Sequence, residues 1–234
     1  MVQTFWAQRN LSTQDLLDVM TSSSDGSNDL LSRVPAVVRT EMLFPYIDGL
    51  SFVRQAYKAS GNSFAGVDDL FVTPPESTAQ ILHPQKYRDH VHPEDVQLPA
   101  LAERLGQQWR HVGDGTLGEL DTRVLLEQYG DRLEAAHVAS AWSGDRWQLL
   151  EKDAHSAIVL KWTWTTEADA ANFFSAYGRA LRTRFPNAVT DEASSSRQAL
   201  TTPIYATDLR VQGRQVIAVI AFDRDAATAI TNAL

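Results

Sequence analysis

Toward the C-terminal end of the chain, apolar residues follow two periods in alternation. Residues 146–151 and 156–165 alternate as paired strands, with Lys152-Asp153 marking the reversal. After Thr166, the side chains of Ala170, Ala171, Phe174, Tyr177, Leu181 and Phe185 fall on one face of a helix. The order then recurs. Residues 199–208 and 212–222 read as a second strand pair reversing at Gln212-Gly213, and Asp223 caps a last helix through Ile230. The pattern predicts ββα twice, that is, a four-stranded, mostly antiparallel sheet with both helices on one face. Residues 191–197, with three serines, are the expected loop between the two units.

Earlier in the chain the period is helical. Ser12 with Asp15 predicts a helix over 13–20, preceded by the uncapped apolar pair Phe5 and Trp6 and followed by a polar loop over 21–28. From 29 to 58 the pattern is again helical, interrupted at Pro35 and Pro45. Gly49, Phe52, Val53, Ala56 and Tyr57 form its buried face, and Ser60-Gly61-Asn62 ends it. Residues 67–70 suggest one more short turn. Residues 92–99 read as a linker, and Trp109 as part of a short strand. Thr116 and Glu119 have the spacing of a capping box before Leu120, Val124 and Leu125, with that helix ending near Gly130. An alanine-rich helix follows over 132–141. The class is therefore α+β: a helical part over 1–95, ending in a proline-rich junction loop, packed on an α+β sheet part over 96–234.

Composition narrows the function. With 44% hydrophobic and 21% charged residues, the chain has the make-up of an ordinary globular protein. It holds no cysteine, which removes disulfides, thiolate metal sites and cysteine nucleophiles. A net charge of −8, with arginines scattered among acids, argues against a nucleic-acid partner. The longest apolar run, 216–222, is too short for a membrane span. Residues 1–20 lack the basic start and unbroken apolar middle of a signal peptide. The expected location is extracytoplasmic if the chain is part of a longer exported protein, and cytoplasmic otherwise.

The run 74–87 is the most constrained stretch. Pro74, Pro75 and Pro84 fix the backbone, while Ser77, Thr78 and Gln80 offer side-chain hydrogen bonds to it. Three segments together carry a family resemblance. They are Phe44-Pro45-Tyr46 with Gly49 and Phe52-Val53; Pro74-Pro75 with Ser77-Thr78, Gln80-Ile81-Leu82-His83-Pro84 and Lys86-Tyr87; and Ala141-Trp142 with Gly144-Asp145-Arg146. In this order they resemble the C-terminal part of a bacterial and archaeal family of zincin-like, gluzincin-type metallopeptidase-like proteins. The resemblance implies a His-Glu-x-x-His helix upstream and a later helix supplying a glutamate to zinc. This chain contains no His-Glu-x-x-His. The resemblance therefore starts after the third-ligand helix, with residues 2–10 as its tail and the metal ligands outside the chain. Ala79 stands where the resemblance leads one to expect glutamate, and Ser143 where it leads one to expect glycine.

The candidate cleft or ligand-binding residues are His83, Lys86, Tyr87, Trp142, Asp145 and Arg146. His83 or Tyr87 facing a cleft would donate to a developing oxyanion; as structural groups they would bond to backbone. His83, Asp89, His90, His92, Glu94 and Asp95 have metal-binding chemistry, but Pro84 and Pro93 break their geometry, so a solvated linker is the expectation. Asp145-Arg146 reads either as an anion site or as an ion pair fixing a corner. Trp162 and Trp164 share a strand face and read as core; Trp142 and Trp147 could line a groove near the same corner. Gly-x-Ser-x-Gly and a P-loop are absent, and Gly113-Asp114-Gly115 lacks a dinucleotide context. No catalytic residue, metal ligand or cofactor is assigned. The expected function is a non-catalytic or incomplete metallopeptidase-like protein, a structural or peptide- or partner-binding module, with a protein or peptide partner at the apolar face around Phe5, Trp6 and Leu11. A free-standing small-ligand or protein-binding α+β domain, and a hydrolase with an unrecognised site, are the alternatives.

Overall fold

The structure, a computed structural model, describes residues 34–234. The helix expected over 13–20 and the apolar face at Phe5, Trp6 and Leu11 lie outside these residues. The chain divides into two compact units, Met1–Thr73 and Pro74–Leu234. The boundary expected near residue 95 thus falls at Thr73, because the 74–95 segment is tied by hydrogen bonds into the sheet unit.

In the first unit, α1 (Ala36–Phe44) runs through a π-helical turn (Pro45–Gly49) into α2 (Leu50–Ala59). The widened turn sits at Pro45, where the missing N–H removes a ladder bond, so the proline loosens the helix without breaking it. Gly61 and Asn62, both in the left-handed region, end α2 before α3 (Ala65–Val72).

In the second unit, two short helices, α4 (Thr78–Leu82) and α5 (Pro84–Arg88), precede an extended stretch and α6 (Leu101–Leu105). Then come β1 (Arg110–Gly115), α7 (Gly118–Glu127), α8 (Arg132–Ala139), β2 (Trp142–Lys152), β3 (His155–Trp164) and α9 (Glu167–Arg184). The chain closes with β4 (Val189–Ala193), β5 (Arg197–Thr201), β6 (Ala206–Gln212), β7 (Gln215–Ala221) and α10 (Arg224–Ala233). The class is α+β, and the ββα pattern recurs as β2-β3-α9 and β6-β7-α10.

The sheet has seven strands, all antiparallel, in the order β1-β2-β3-β7-β6-β5-β4. Three of the expected strands correspond to β2, β3 and β7, whereas the expected strand over 199–208 is broken by a turn after Thr201 and divides between β5 and β6, which pair with each other. The serine-rich stretch expected as a loop is instead mostly the β4–β5 hairpin, in which Ser194 takes a hydrogen bond from the Arg197 N–H and turns the chain.

The two repeat helices lie on opposite faces, not on one. Leu160, Trp162 and Trp164 of β3 and Val216 and Ala218 of β7 pack with Phe173, Phe174 and Tyr177 of α9 and with α7 and α8. The alternate residues Ala157, Val159, Val219 and Ala221 pack with Ile230 of α10 and Leu101 of α6. Strands apolar on both sides must be covered on both sides, so one helix goes to each face. Trp162 and Trp164 are fully buried core residues, as their shared face implied.

Candidate functional site

The constrained run folds against the start of α7. Ser77 is the N-cap of α4 and accepts from the Gln80 N–H. The buried Gln80 side chain accepts from the Glu76 N–H at 2.7 Å and donates to the Val91 carbonyl at 2.9 Å, closing residues 76–91 into one knot. Ala79 is 3% exposed and sits in the apolar cluster of α7, α8 and α9, where a glutamate would carry its charge into hydrocarbon. Pro84 ends α4 at His83 and opens α5.

That turn aims His83 and Lys86 at Glu119. Nε2 of His83 is 2.6 Å from Oε1 of Glu119, and Nζ of Lys86 is 3.4 Å from Oε2. Glu119 is 2% exposed, so its carboxyl group is buried and is met by the His83 imidazole and the Lys86 ammonium. Lys86 also donates to the Ser140 carbonyl at 2.6 Å, satisfying the C-terminal end of α8. His83 therefore bonds to a carboxylate rather than to backbone. Tyr87 is half-buried on α5.

The expected capping box at Thr116 and Glu119 does not form, because Glu119 is engaged by His83 and Lys86. The cap comes from β2 instead. Asp145 accepts from the N–H groups of Leu117 at 2.7 Å and Gly118 at 2.8 Å, and from Trp142 Nε1 at 2.9 Å. Thr78 Oγ1 takes the Leu120 N–H at 3.2 Å. Burial pushes the Asp145 carboxyl above the usual range, against the pull of these donors.

Asp145 and Arg146 point to opposite faces of β2, so the expected ion pair between them is absent. Arg146 instead pairs with Asp114 on β1. Trp142 is buried and Trp147 lies over Gly115, where an added Cβ would stand 3.1 Å from its indole, so the two do not line an open groove. That packing accounts for Gly115, whereas a Cβ at Gly113 would make only ordinary contact with Trp147 at 3.8 Å.

The candidate metal residues are dispersed. His83 meets Glu119, His92 Nδ1 is 2.8 Å from Glu76, and Glu94 pairs with Arg214. Among the described residues no group of three metal-ligating side chains converges. A carboxylate orienting a half-exposed imidazole is the core of a general-base pair. Among the described residues His83 Nε2 is bonded to Glu119 and no side-chain hydroxyl is hydrogen-bonded to His83.

Sequence reasoning missed Glu119, whose spacing from Thr116 imitated a cap. It also missed a cleft on the α10 face of the sheet. This cleft holds about 330 Å³ and is lined by Lys161, Asp208, Arg210, Gln215, Ile217 and Val219. Asp208 is clamped by Arg197 at 2.6 Å and Arg210 at 2.8 Å. Burial raises its carboxyl, but the hydrogen bonds and charges of Arg210 and Arg197 outweigh that and hold it below the usual range.

Among the described residues no helix is long and apolar enough to cross a membrane. Comparison with curated proteins finds no match. Residues 103–231, more than half of the chain, match a family described as a domain of unknown function, DUF8575. The matched stretch takes in β1 through most of α10, hence the whole sheet, and the chain belongs to the DUF8575 family.

Proposed function

We propose that this chain is a non-catalytic or incomplete metallopeptidase-like protein, a structural or peptide- or partner-binding module, metallopeptidase-like in its 44–53, 74–87 and 141–146 segments and containing no His-Glu-x-x-His. One observation carries the reading: the polar candidate side chains are engaged by internal partners. His83 and Lys86 bond to Glu119, Trp142 donates to Asp145, Asp145 caps α7, and Arg146 pairs with Asp114. Groups held this way build a rigid corner and have no reacting atom to serve.

A protein or peptide partner at the apolar face of Phe5, Trp6 and Leu11, which lies outside the described residues, is part of the same reading, and the described part of the first unit has further exposed apolar side chains. Met42, Phe64, Phe71 and Val72 are exposed there, the last two at 83%.

The test is to incubate the purified chain with equimolar zinc, desalt it, measure retained metal by mass spectrometry, and assay cleavage of a quenched peptide library. No stoichiometric zinc and no cleavage are expected. One zinc per chain, lost in His83→Ala, or cleavage of any peptide would overturn the reading.

The cleft on the sheet favours small-ligand binding as a second reading, and its chemistry can be taken further.

A further inference from the structure

The strand register sets five residues in line across the sheet. Arg146 pairs with Lys161, Lys161 with Ile217, Ile217 with Arg210, and Arg210 with Arg197. Directly opposed residues project from the same face, so four cations and one isoleucine form a row on the face that carries α10. Like charges opposed in this way repel unless anions stand between them. Three of the four have such anions. Arg197 and Arg210 share Asp208, and Arg146 has Asp114. Lys161 differs: its ammonium lies 3.3 Å from the Gln97 carbonyl, and it has no carboxylate partner among the described residues.

The neighbouring rows explain why a cleft opens here. One row back, Val159, Val219 and Asp208 are in register, and behind them Ala157. α10 and α6 cover that apolar half. The cationic row lies beyond the covered half. On the β2 side the cleft is walled by the extended 94–99 stretch, which is pinned by Glu94 N–H to Ser143 at 2.7 Å and by Gln148 to the Pro99 carbonyl at 2.9 Å. The space of about 330 Å³ falls at the small end of ligand-binding cavities.

We propose that this cleft binds a small organic carboxylate with a short apolar body. The carboxylate meets Lys161 Nζ and the outer edge of the Arg210 guanidinium, and the body lies over Ile217, Val219 and Leu98. The charge balance selects the sign: the one unmatched group in the row is a cation, in a chain whose net charge is −8. The apolar floor selects an amphiphile over a bare anion. The assignment rests on the binding-module reading and names the ligand class that module takes.

The test uses hexanoate as the probe, titrated into the ¹⁵N-labelled full chain and followed by amide shifts, with hexanol and hexylamine as controls. Hexanoate is expected to shift the Ile217 and Val219 amides saturably, and the controls are not. Lys161→Met should weaken hexanoate by about tenfold or more, and Lys161→Arg should restore most of it. Unchanged thermal melting of both variants shows that the fold is kept. No saturation by hexanoate up to ~10 mM, a level at which even a weak specific site fills, overturns the assignment and leaves the non-catalytic reading standing. Equal binding by wild type and Lys161→Met overturns it as well. Zinc retention or peptide cleavage by a chain that still binds hexanoate through Lys161 supports the assignment and overturns that reading.

Discussion

Nε2 of His83 lies 2.6 Å from Oε1 of Glu119, across 36 positions of sequence. The contact joins the α4–α5 segment to the first turn of α7, and Lys86 closes it from the other carboxylate oxygen. A carboxylate 2% exposed is stable here because of these two partners.

Removing the carboxylate therefore leaves His83 and Lys86 facing a hole. Glu119→Ala should lower stability by about 3 kcal/mol. Glu119→Gln, which keeps the shape and one acceptor, should cost about 1 kcal/mol. Urea denaturation at neutral pH measures both. Equal losses in the two variants would show that the charge is irrelevant to this junction.

Asp145 serves three donors from a neighbouring strand. Asp145→Ala strands the Leu117 and Gly118 N–H groups and the Trp142 indole N–H, at a cost of about 2 kcal/mol or more. The same denaturation experiment reads it, and hydrogen exchange should quicken first at Leu117 and Gly118. Wild-type protection there would refute the remote cap.

The two buried aspartates have opposite pH signatures. Asp208, lowered when folded, contributes stability that is fully present above its unfolded value near 3.8 and is lost as pH falls through the folded value. Asp145, raised when folded, contributes below 3.8, and that contribution is lost as pH rises through its folded value. Urea midpoints of wild type and Asp208→Asn should therefore differ most above pH 3.8 and converge in stronger acid. A difference that stays constant with pH would rule out the arginine clamp as the cause.

Gly144 lies under the backbone carbonyl of Glu94, at the bulge of β2 where the 94–99 stretch crosses. A methyl group there must displace main chain, not a flexible side chain. Gly144→Ala should cost about 1–3 kcal/mol by thermal melting and shift the Val96 and Gln97 amide resonances. Unaltered melting would mean that the crossing stretch yields freely.

Local grammar was legible in the sequence. Thr166 with Asp169 forms the capping box of α9, Asp223 caps α10, and the reversals at Asp153 and Gly213 fall between strands as read. These depend on residues within four positions of one another. The opposite-face placement of α9 and α10 had a weak signal in the unbroken apolar run 216–222, which fits a strand buried on both sides. Glu119 was hidden because its partners are 33 and 36 positions away and its spacing from Thr116 satisfied a local rule. The cationic row was hidden more deeply: Arg146, Lys161, Arg210 and Arg197 come together only once five strands are in register.

The pairing of β3 with β7 has a kinetic meaning. β2–β3 and β6–β7 each close over a tight turn, a local search of microseconds. β3 and β7 meet only after α9 and the β4–β5 hairpin have been spanned, so the sheet is completed at its middle and not at its rim. Long-range closure of this kind slows folding. Leu160 and Ala218, opposed in that seam, are thus placed to govern how fast the chain folds, while substitutions on the outer strand β4 act on how fast it unfolds.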